Sequence, residues 1–454
     1  MTTDLLDACR AAAARFGTPL YLYDLERLHR DAQAVARAFP DPWLRLYSLK
    51  ANGLPALVRE LLPHGFGATA VSGGELALAA RAGIERGRTA LEGIGKSPAD
   101  LRVAARLAAA GTPLLWVSLE SAEEAAALAE LAGRLPRQRG ADPIRVDVLV
   151  RVNPQVQPET HGGLAVGSAD SKFGVLPEEL GEVVEAGGGP DGPLRWRGIH
   201  VHVGSQLGAV DAWRSAFRLG LRLLALQRAT LPDLDTLDAG SGFPVDFGEA
   251  GSVPGVELFA REAAVELAAV AAESRPARLA VEPGRSVVAG SGWLVARVLH
   301  VRDRGAAVPL AAAGPLALVG PPGTTTGPGD AADRSRRMVV LDAGMTELIR
   351  PALYGAEHPM VALTSMGQPV TQDDSAAGTV WPLVRVDGPV CESTDRLGEA
   401  RLPPLQRGDL VAIGVVGAYG SSMSSTYNGR PRAPEVAWAP AGISLLRRRG
   451  RAGF

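Results

Sequence analysis

Lysine is nearly missing from this chain. Of 47 basic residues among 454, only Lys50, Lys96 and Lys172 are lysines, and arginine fills the other cationic positions. A guanidinium stays protonated, so arginine cannot replace lysine where a neutral primary amine must attack a carbonyl. Each lysine is therefore a candidate for chemistry, with a leftover surface lysine as the alternative. Cysteine is as scarce: Cys9 and Cys391 alone exclude a disulfide framework. Neither sign of charge is in excess, and a net charge of -2 gives no electrostatic reason to expect nucleic acid or an anionic membrane as partner. The basic end Arg447-Arg448-Arg449 reads as a solvated tail. No apolar run reaches the length of a membrane helix. The opening MTTDLLDACRAAAARFG lacks a basic start followed by an apolar run, so no signal peptide and a cytoplasmic location are expected. No repeat of the solenoid type occurs.

What is present is a hydrophobic content of 46% over a length that suits two domains. Apolar or β-branched runs recur at 44–49, 66–71, 89–93, 114–119, 145–152, 196–203, 234–238 and 278–282. Amphipathic stretches such as 73–83, 98–110, 121–133 and 211–229 lie between them, and Ser121 to Glu124 has the form of a capping box. Eight strands with helical connections predict a (β/α)8 TIM-like barrel over 30–288. After residue 290 the runs 293–303, 337–342, 379–386 and 409–416 lack regular helices between them, which predicts a second, β-rich domain. The Pro/Gly/Ala-rich stretch 304–336 reads as an inserted loop.

Barrel chemistry sits at the C-terminal ends of the strands. Lys50 follows the first strand, Ser72 the second, Ser205 the sixth and the Gly240-Ser241-Gly242 turn the seventh, while His202 and Glu282 end the sixth and eighth. A lysine buried at such a mouth would lose solvation and keep some neutral amine for a Schiff base. A small-residue turn lets backbone N–H groups approach a phosphate; an ordinary tight turn is the alternative. A carboxylate ending a buried strand needs a partner. For Glu282 that partner is a protonated pyridine nitrogen or, alternatively, Arg285. His202 would point into the site and stack on a ring, but His200 shares its parity, and a core histidine is the alternative for either.

In chain order the sequence carries YSLKANG, SGGEL at 72–76, RVNP at 151–154, SKFG at 171–174, GIHVHVGSQ at 198–206, EPGR at 282–285, RPALYGAEH at 350–358, CESTD at 391–395 and GAY at 417–419. Together these resemble the fold-type III decarboxylases dependent on pyridoxal 5'-phosphate (PLP), and within them the diaminopimelate decarboxylases. The resemblance runs from TPLYLYD at 18–24 to YNGRPR at 427–432. It implies an alanine-racemase-like barrel plus a Greek-key β-barrel or sandwich domain made of 1–29 and 289–454. It implies Lys50 as the Schiff-base lysine, His202 as the ring-stacking histidine, and cofactor contacts from Ser205, Gly240, Gly242, Glu282, Gly284, Arg285 and Tyr419. It implies substrate contacts from Arg285, Arg350, Tyr354, Glu392 and Tyr419. Cys391 would be the proton donor, supplied across a homodimer with shared active sites. No metal is implied. Three departures stand out. Thr69 occupies the place, three residues before Ser72, where the family usually has Asp, and Ile94-Gly95 stands where an Asn commonly precedes the lysine of LEGIGKSP. Ser241 also interrupts the glycine turn.

The implied reaction is loss of CO2 from meso-2,6-diaminopimelate to give L-lysine. Two arginines would meet two carboxylates, and Glu392 the distal ammonium. Enzymes of this fold that form simple diamines tend to carry Asp after the Cys and lack the RPALY segment. The alternatives are a paralogue of secondary metabolism acting on ornithine, arginine or a carrier-bound amino acid, and a PLP-binding regulator without turnover. Joint retention of Lys50, Cys391 and Glu392 argues against the regulator. A racemase would need a second base opposite Lys50, and CESTD argues against it. The Gly240 turn lacks the dinucleotide fingerprint.

Overall fold

The structure is a computed structural model and describes residues 2–135, 145–167, 171–248, 253–303, 337–363, 369–370 and 381–451. The 304–336 stretch and part of the expected strand 379–386 lie outside the described residues. The chain divides into two compact units, Tyr23–Gly292 with Val415–Ser422, and Met1–Leu22 with Trp293–Gly414 and Met423–Phe454.

The chain begins with α1 (Thr3–Phe16), β1 (Leu20–Asp24) and α2 (Leu25–Ala38). Eight parallel strands then close into a barrel in chain order: β2 (Leu44–Ser48), β3 (Phe66–Ala70), β4 (Thr89–Leu91), β5 (Trp116–Leu119), β6 (Val146–Val152), β7 (Leu194–Val201), β8 (Thr236–Asp238) and β9 (Arg278–Val281). Closure pairs Leu44 with Ala280 and Arg45 with Val281. The connecting helices are α3 (Pro55–Arg59), α4 (Gly73–Ala82), α5 (Pro98–Ala109), α6 (Ala122–Arg134), α7 (Leu180–Ala186), α8 (Asp211–Gln227) and α9 (Val256–Ala268).

Local chemistry explains several of these starts. SGGEL is a helix start: Ser72 accepts the Glu75 N–H, and the Glu75 carboxylate accepts the Val71 N–H at 2.9 Å. The reciprocal capping box belongs to Ser97 and Asp100, with Pro98 in the first turn of α5. The box expected at Ser121 forms by half. Ser121 accepts the Glu124 N–H, but the Glu124 carboxylate takes the Glu120 N–H at 2.8 Å and the Lys96 ammonium at 3.0 Å instead. Trp213 of α8 donates to the Ala239 carbonyl at 3.0 Å, which ties that helix to the turn after β8.

After the short α10 (Arg285–Val288), the second unit continues with β10 (Gly292–Asp303), β11 (Arg337–Leu341), α11 (Arg350–Tyr354), β12 (Met360–Leu363), β13 (Pro369–Val370), β14 (Leu383–Asp387), β15 (Arg396–Arg401), β16 (Leu410–Ile413), β17 (Glu435–Ala439) and β18 (Gly442–Arg447). With β1 these form a branched ten-stranded sheet. Its main path is β13-β12-β16-β10-β1-β17-β18, and β11 leaves β10 to carry β14 and β15. The apolar face of α1 (Leu5, Leu6, Cys9, Ala12, Ala13) packs with Leu20, Leu22, Val295, Val361 and Val436 in one buried cluster.

Candidate active site

Strand alternation builds the site. Leu46, Ala90, Trp116, Leu149 and Ala280 form one apolar cluster within the barrel. Two residues further along each strand, on the same face, stand Ser48, Glu92, Ser118, Arg151 and Glu282. The barrel interior thus changes from apolar to polar toward the strand ends, where loops and turns can surround a ligand.

A cleft open to solvent is lined there by Lys50, His202, Ser205, Gly242, Glu282, Gly284, Arg285 and Tyr419, together with Ser48, Ser241 and Phe243. All of these belong to the barrel unit, Tyr419 through the segment Val415–Ser422. Lys50 is exposed in this cavity, which corrects the expectation of a buried amine. β2 ends at Ser48 and Leu49 is still buried, whereas Lys50, two residues past the strand, stands at the rim. The other two lysines are accounted for. Lys96 has no exposed side-chain surface and pairs with Glu124 at 3.0 Å, and Lys172 lies 5.2 Å from the Phe173 ring centre. The KANG segment also holds Tyr419 in place. The Tyr419 N–H donates to the Ala51 carbonyl at 2.8 Å, and Asn52 Nδ2 donates to the Gly417 carbonyl at 3.0 Å.

The glycine turn is conformationally required. Gly242 has φ +107°, and a Cβ there would lie 2.6 Å from the Gly204 carbonyl oxygen; Gly240 has φ +58°, and a Cβ there would lie 2.6 Å from His202 Nδ1. Gly240 accepts the Glu282 N–H at 2.8 Å and donates its own N–H to Asp238 at 2.9 Å, so the turn and the end of β9 are joined.

The two histidines that parity could not separate have different settings. His202 is half-buried and lines the cavity, and its Nδ1 accepts the Ser241 N–H at 3.3 Å. His200 is buried, with Nδ1 2.8 Å from Ser118 Oγ and Nε2 3.9 Å from Glu282 Oε1. Burial lowers both imidazoles well below the ordinary histidine value; Lys50 and Arg151 add to this by repelling a second positive charge.

Glu282 does not pair with Arg285. Arg285 opens α10, donates from Nε and Nη2 to Ser205 Oγ at 3.3 and 3.1 Å, and lies over the Tyr419 ring. The Glu282 carboxyl is buried, receives no N–H at Oε1 from any described residue, and is pushed up to about 7 by burial and the Asp238 charge. Glu92 and Asp238, which the sequence reading did not single out, are buried beside it. Burial and the charge of a neighbouring carboxylate push both well above the ordinary range. The signal for Glu92 was its place two residues beyond Ala90. Glu92, His200 and Glu282 bring one potential ligand atom each to within 4.8 Å of one another. The RVNP and SKFG motifs meet nearby: Arg151 pairs with Glu120 at 2.9 Å, Gly174 donates to Glu120 at 3.0 Å, and the Arg151 guanidinium lies 4.9 Å from the Phe173 ring centre.

The other four expected residues stand in the β-rich unit. Arg350 is buried and donates from Nη1 to His358 Nε2 at 3.0 Å, which leaves the His358 proton on Nδ1, 2.9 Å from the Gly414 carbonyl. Tyr354 ends α11 and is half-buried. Cys391 and Glu392 are exposed, and Glu392 accepts the Tyr427 hydroxyl at 2.8 Å. Their loop is held by the buried Asp395, which accepts the Met345 and Val390 N–H groups, each at 2.6 Å.

A parallel barrel whose mouth gathers an exposed lysine, a glycine turn and a buried carboxylate is the arrangement of a PLP enzyme. Residues 25–289 match the family described as pyridoxal-dependent decarboxylase, pyridoxal binding domain, and the chain belongs to that family. PLP is its cofactor, and its reaction class is that of a carboxy-lyase. The chain is 37% identical over 447 residues to the diaminopimelate decarboxylase of Deinococcus radiodurans, covering 97% of this chain and 96% of that one. It is 32% identical to the Aquifex aeolicus diaminopimelate decarboxylase, covering 96% and 90%. Its fold matches the crystal structure of the Helicobacter pylori diaminopimelate decarboxylase complexed with L-lysine at a TM-score of 0.79 and 29% identity, covering 97% and 96%. Among the described residues no helix is long and apolar enough to cross a membrane.

Proposed function

We propose that this enzyme decarboxylates meso-2,6-diaminopimelate to L-lysine and CO2, as a homodimer in the cytoplasm. The observation that carries the cofactor assignment is the pairing of Lys50 and Glu282 across one cavity: an exposed primary amine and a buried carboxylate whose Oε1 receives no N–H from any described residue. That carboxylate suits a cationic ring nitrogen, and the Gly240–Gly242 turn, with no room for a Cβ at Gly242, suits a phosphate. The substrate assignment is supported by the relatives, which are named diaminopimelate decarboxylases, one of them with lysine bound.

When bound, PLP supplies an electron sink for the bond pair left behind by the departing CO2. The chain's residues do the rest. Lys50 would hold the cofactor through its amine. His202 would pack on the ring, Glu282 would face the ring nitrogen, and Ser205, Gly240, Gly242 and Gly284 would line the cofactor. Arg285, steadied by Ser205 and by the Tyr419 ring, offers a fixed cation to a substrate carboxylate. Arg350, Tyr354 and Tyr419 add substrate contacts, and Glu392 takes the distal ammonium. Cys391, given by the partner subunit, returns a proton to the carbon that lost CO2.

A CO2-release screen of the PLP-loaded protein against meso-diaminopimelate, ornithine, arginine, lysine and glutamate tests this. Release from meso-diaminopimelate with equimolar lysine is expected. Release from ornithine or arginine instead would identify a paralogue, and PLP binding without any turnover would identify a regulator.

A further inference from the structure

Three carboxyls, Glu92, Asp238 and Glu282, lie in the barrel interior at the ends of β4, β8 and β9, all nine-tenths or more buried. Glu92 and Glu282 each bring a carboxyl oxygen to within 4.8 Å of the other and of a His200 ring nitrogen, and Asp238 is buried beside them. Two ionised carboxylates that close together and out of water repel strongly, so a proton is held by the Glu92 and Glu282 pair. Beside them the buried His200 Nε2 has no hydrogen-bond partner among the described residues and stands 3.9 Å from Glu282 Oε1. Of the three acids only Glu282 lines the cavity.

We infer that Glu92 is a positioning residue of the cofactor site: a neutral acid that donates a hydrogen bond to Glu282, keeping that carboxylate ionised and turned toward the cavity. The inference rests on the proposed pairing of Glu282 with the cofactor ring nitrogen. The division of roles follows from place. Glu282 faces the cavity that holds Lys50, so its charge has a counter-charge within reach; Glu92 lies behind it and lines no part of that cavity. The electrostatics agree. Glu282 is raised to about 7, whereas burial and the Glu282 charge drive Glu92 well above the ordinary range. Asp238 has one oxygen committed to the Gly240 N–H, so its orientation is set by the turn as much as by Glu282. The same trio of Glu92, His200 and Glu282 could hold a cation. However, Arg151 and Lys50 both act on the two carboxyls, and their positive charge opposes a metal there. A shared proton meets the same need without adding that charge.

Infrared spectroscopy tests the proton without the cofactor. In the apoenzyme at neutral pH, Glu92→Gln should remove a C=O band of a protonated acid. Loss of carboxylate bands alone overturns the inference. So does a stoichiometric metal in the purified protein that Glu92→Gln releases. Cofactor affinity then tests the hydrogen bond. Glu92→Gln keeps an N–H donor and should bind PLP within about threefold of wild type. Glu92→Ala should weaken binding by about 10- to 100-fold, as for a lost hydrogen bond to a charged group, with the altered cofactor absorbance restored in the Gln variant. Equal behaviour of Gln and Ala overturns the positioning role, because simple cavity formation would not discriminate between them in that order. Glu282→Gln separates the two claims. If it leaves PLP affinity and absorbance unchanged, the ring-nitrogen reading of Glu282 fails, whatever the infrared result for Glu92.

Discussion

The Arg285 guanidinium carbon sits 4.8 Å from the centre of the Tyr419 ring, while the same guanidinium donates to Ser205 Oγ. A charged side chain with several rotatable bonds is thereby fixed on two sides at the cavity wall. Tyr419 can serve as that wall because its backbone adopts φ +59° and its N–H is tied to Ala51. Stacking of this kind is worth roughly 0.5–2 kcal/mol. Tyr419→Ala should therefore raise KM for the amino-acid substrate by roughly 2- to 30-fold beyond any change in PLP affinity. Tyr419→Phe should leave KM close to the wild-type value, since it keeps the ring. Steady-state kinetics at saturating PLP decide it, and an unchanged KM in the Ala variant would separate Arg285 from substrate binding.

Lys50 is the lysine in the cavity; Lys96 is consumed by Glu124 and Lys172 lies against Phe173. Borohydride reduction of the PLP-loaded enzyme should fix a pyridoxyl group on Lys50 alone, read by peptide mass spectrometry. Lys50→Ala should carry no label and lose turnover by several orders of magnitude, while Lys96→Ala and Lys172→Ala should label normally. A label on either of those two lysines would move the cofactor to another site.

The phosphate turn gives a steric prediction. A methyl group at Gly242 would meet the Gly204 carbonyl oxygen at 2.6 Å on a backbone with φ +107°. Gly242→Ala should cost about 1–3 kcal/mol of local strain, and by distorting the turn weaken PLP affinity by about tenfold or more. Equilibrium titration with PLP checks it. Inorganic phosphate should compete with PLP in the wild type, and loss of that competition in the variant would tie the effect to the phosphate end.

Glu282 sets a pH dependence in the apoenzyme. Burial and the Asp238 charge raise it from 4.5 to about 7. The folded chain then holds that proton more tightly than the unfolded chain does. The resulting stabilisation is fully present below 4.5 and is lost as pH rises through about 7. Glutamine cannot ionise, so Glu282→Gln should gain on the wild type as pH is raised across that window. His200 is shifted the other way, and so loses stability as pH falls below the ordinary histidine value, at the acid end of the range rather than across the rise toward 7. In the variant Glu92 also loses the neighbouring Glu282 charge that raises it, which widens the gap in the same direction. Thermal melts of the two apoenzymes at matched pH values measure the difference, and a gap that does not change with pH would show that Glu282 is not raised.

The barrel was legible because each strand is a short apolar run bounded by an amphipathic helix. Even β8, only Thr236–Asp238, lies within the run expected at 234–238. The mouth was legible because polar residues follow those runs directly. Glu92 and Asp238 were harder to find. Asp238 ends a three-residue strand and Glu92 follows another, where alternation has too few residues to say which face is interior until the neighbouring strands are in place. Lys50 lines the cavity but is exposed rather than buried, because it stands two residues past the end of β2. At Ser121 the local pattern was right and the outcome different: Lys96, distant in sequence, captured the carboxylate that the capping box needed. Tertiary partners of that kind have no local signature.

Cys391 and Glu392 lie exposed on a loop anchored by Asp395, and under the proposed function Cys391 serves the site of the other subunit. That arrangement can be tested without a structure of the dimer. Lys50→Ala and Cys391→Ala should each be nearly inactive, the second while binding PLP normally. Each mixed dimer would hold one site with both residues intact and one with neither. Random exchange makes half of all dimers mixed, so an equimolar mixture should recover about a quarter of wild-type turnover. Recovery requires dissociation and reassociation, so it should appear after dilution and reconcentration and depend on protein concentration. If subunits exchange, as followed by mass-tagged chains, and no activity returns, Lys50 and Cys391 act within one chain and the shared-site dimer is wrong.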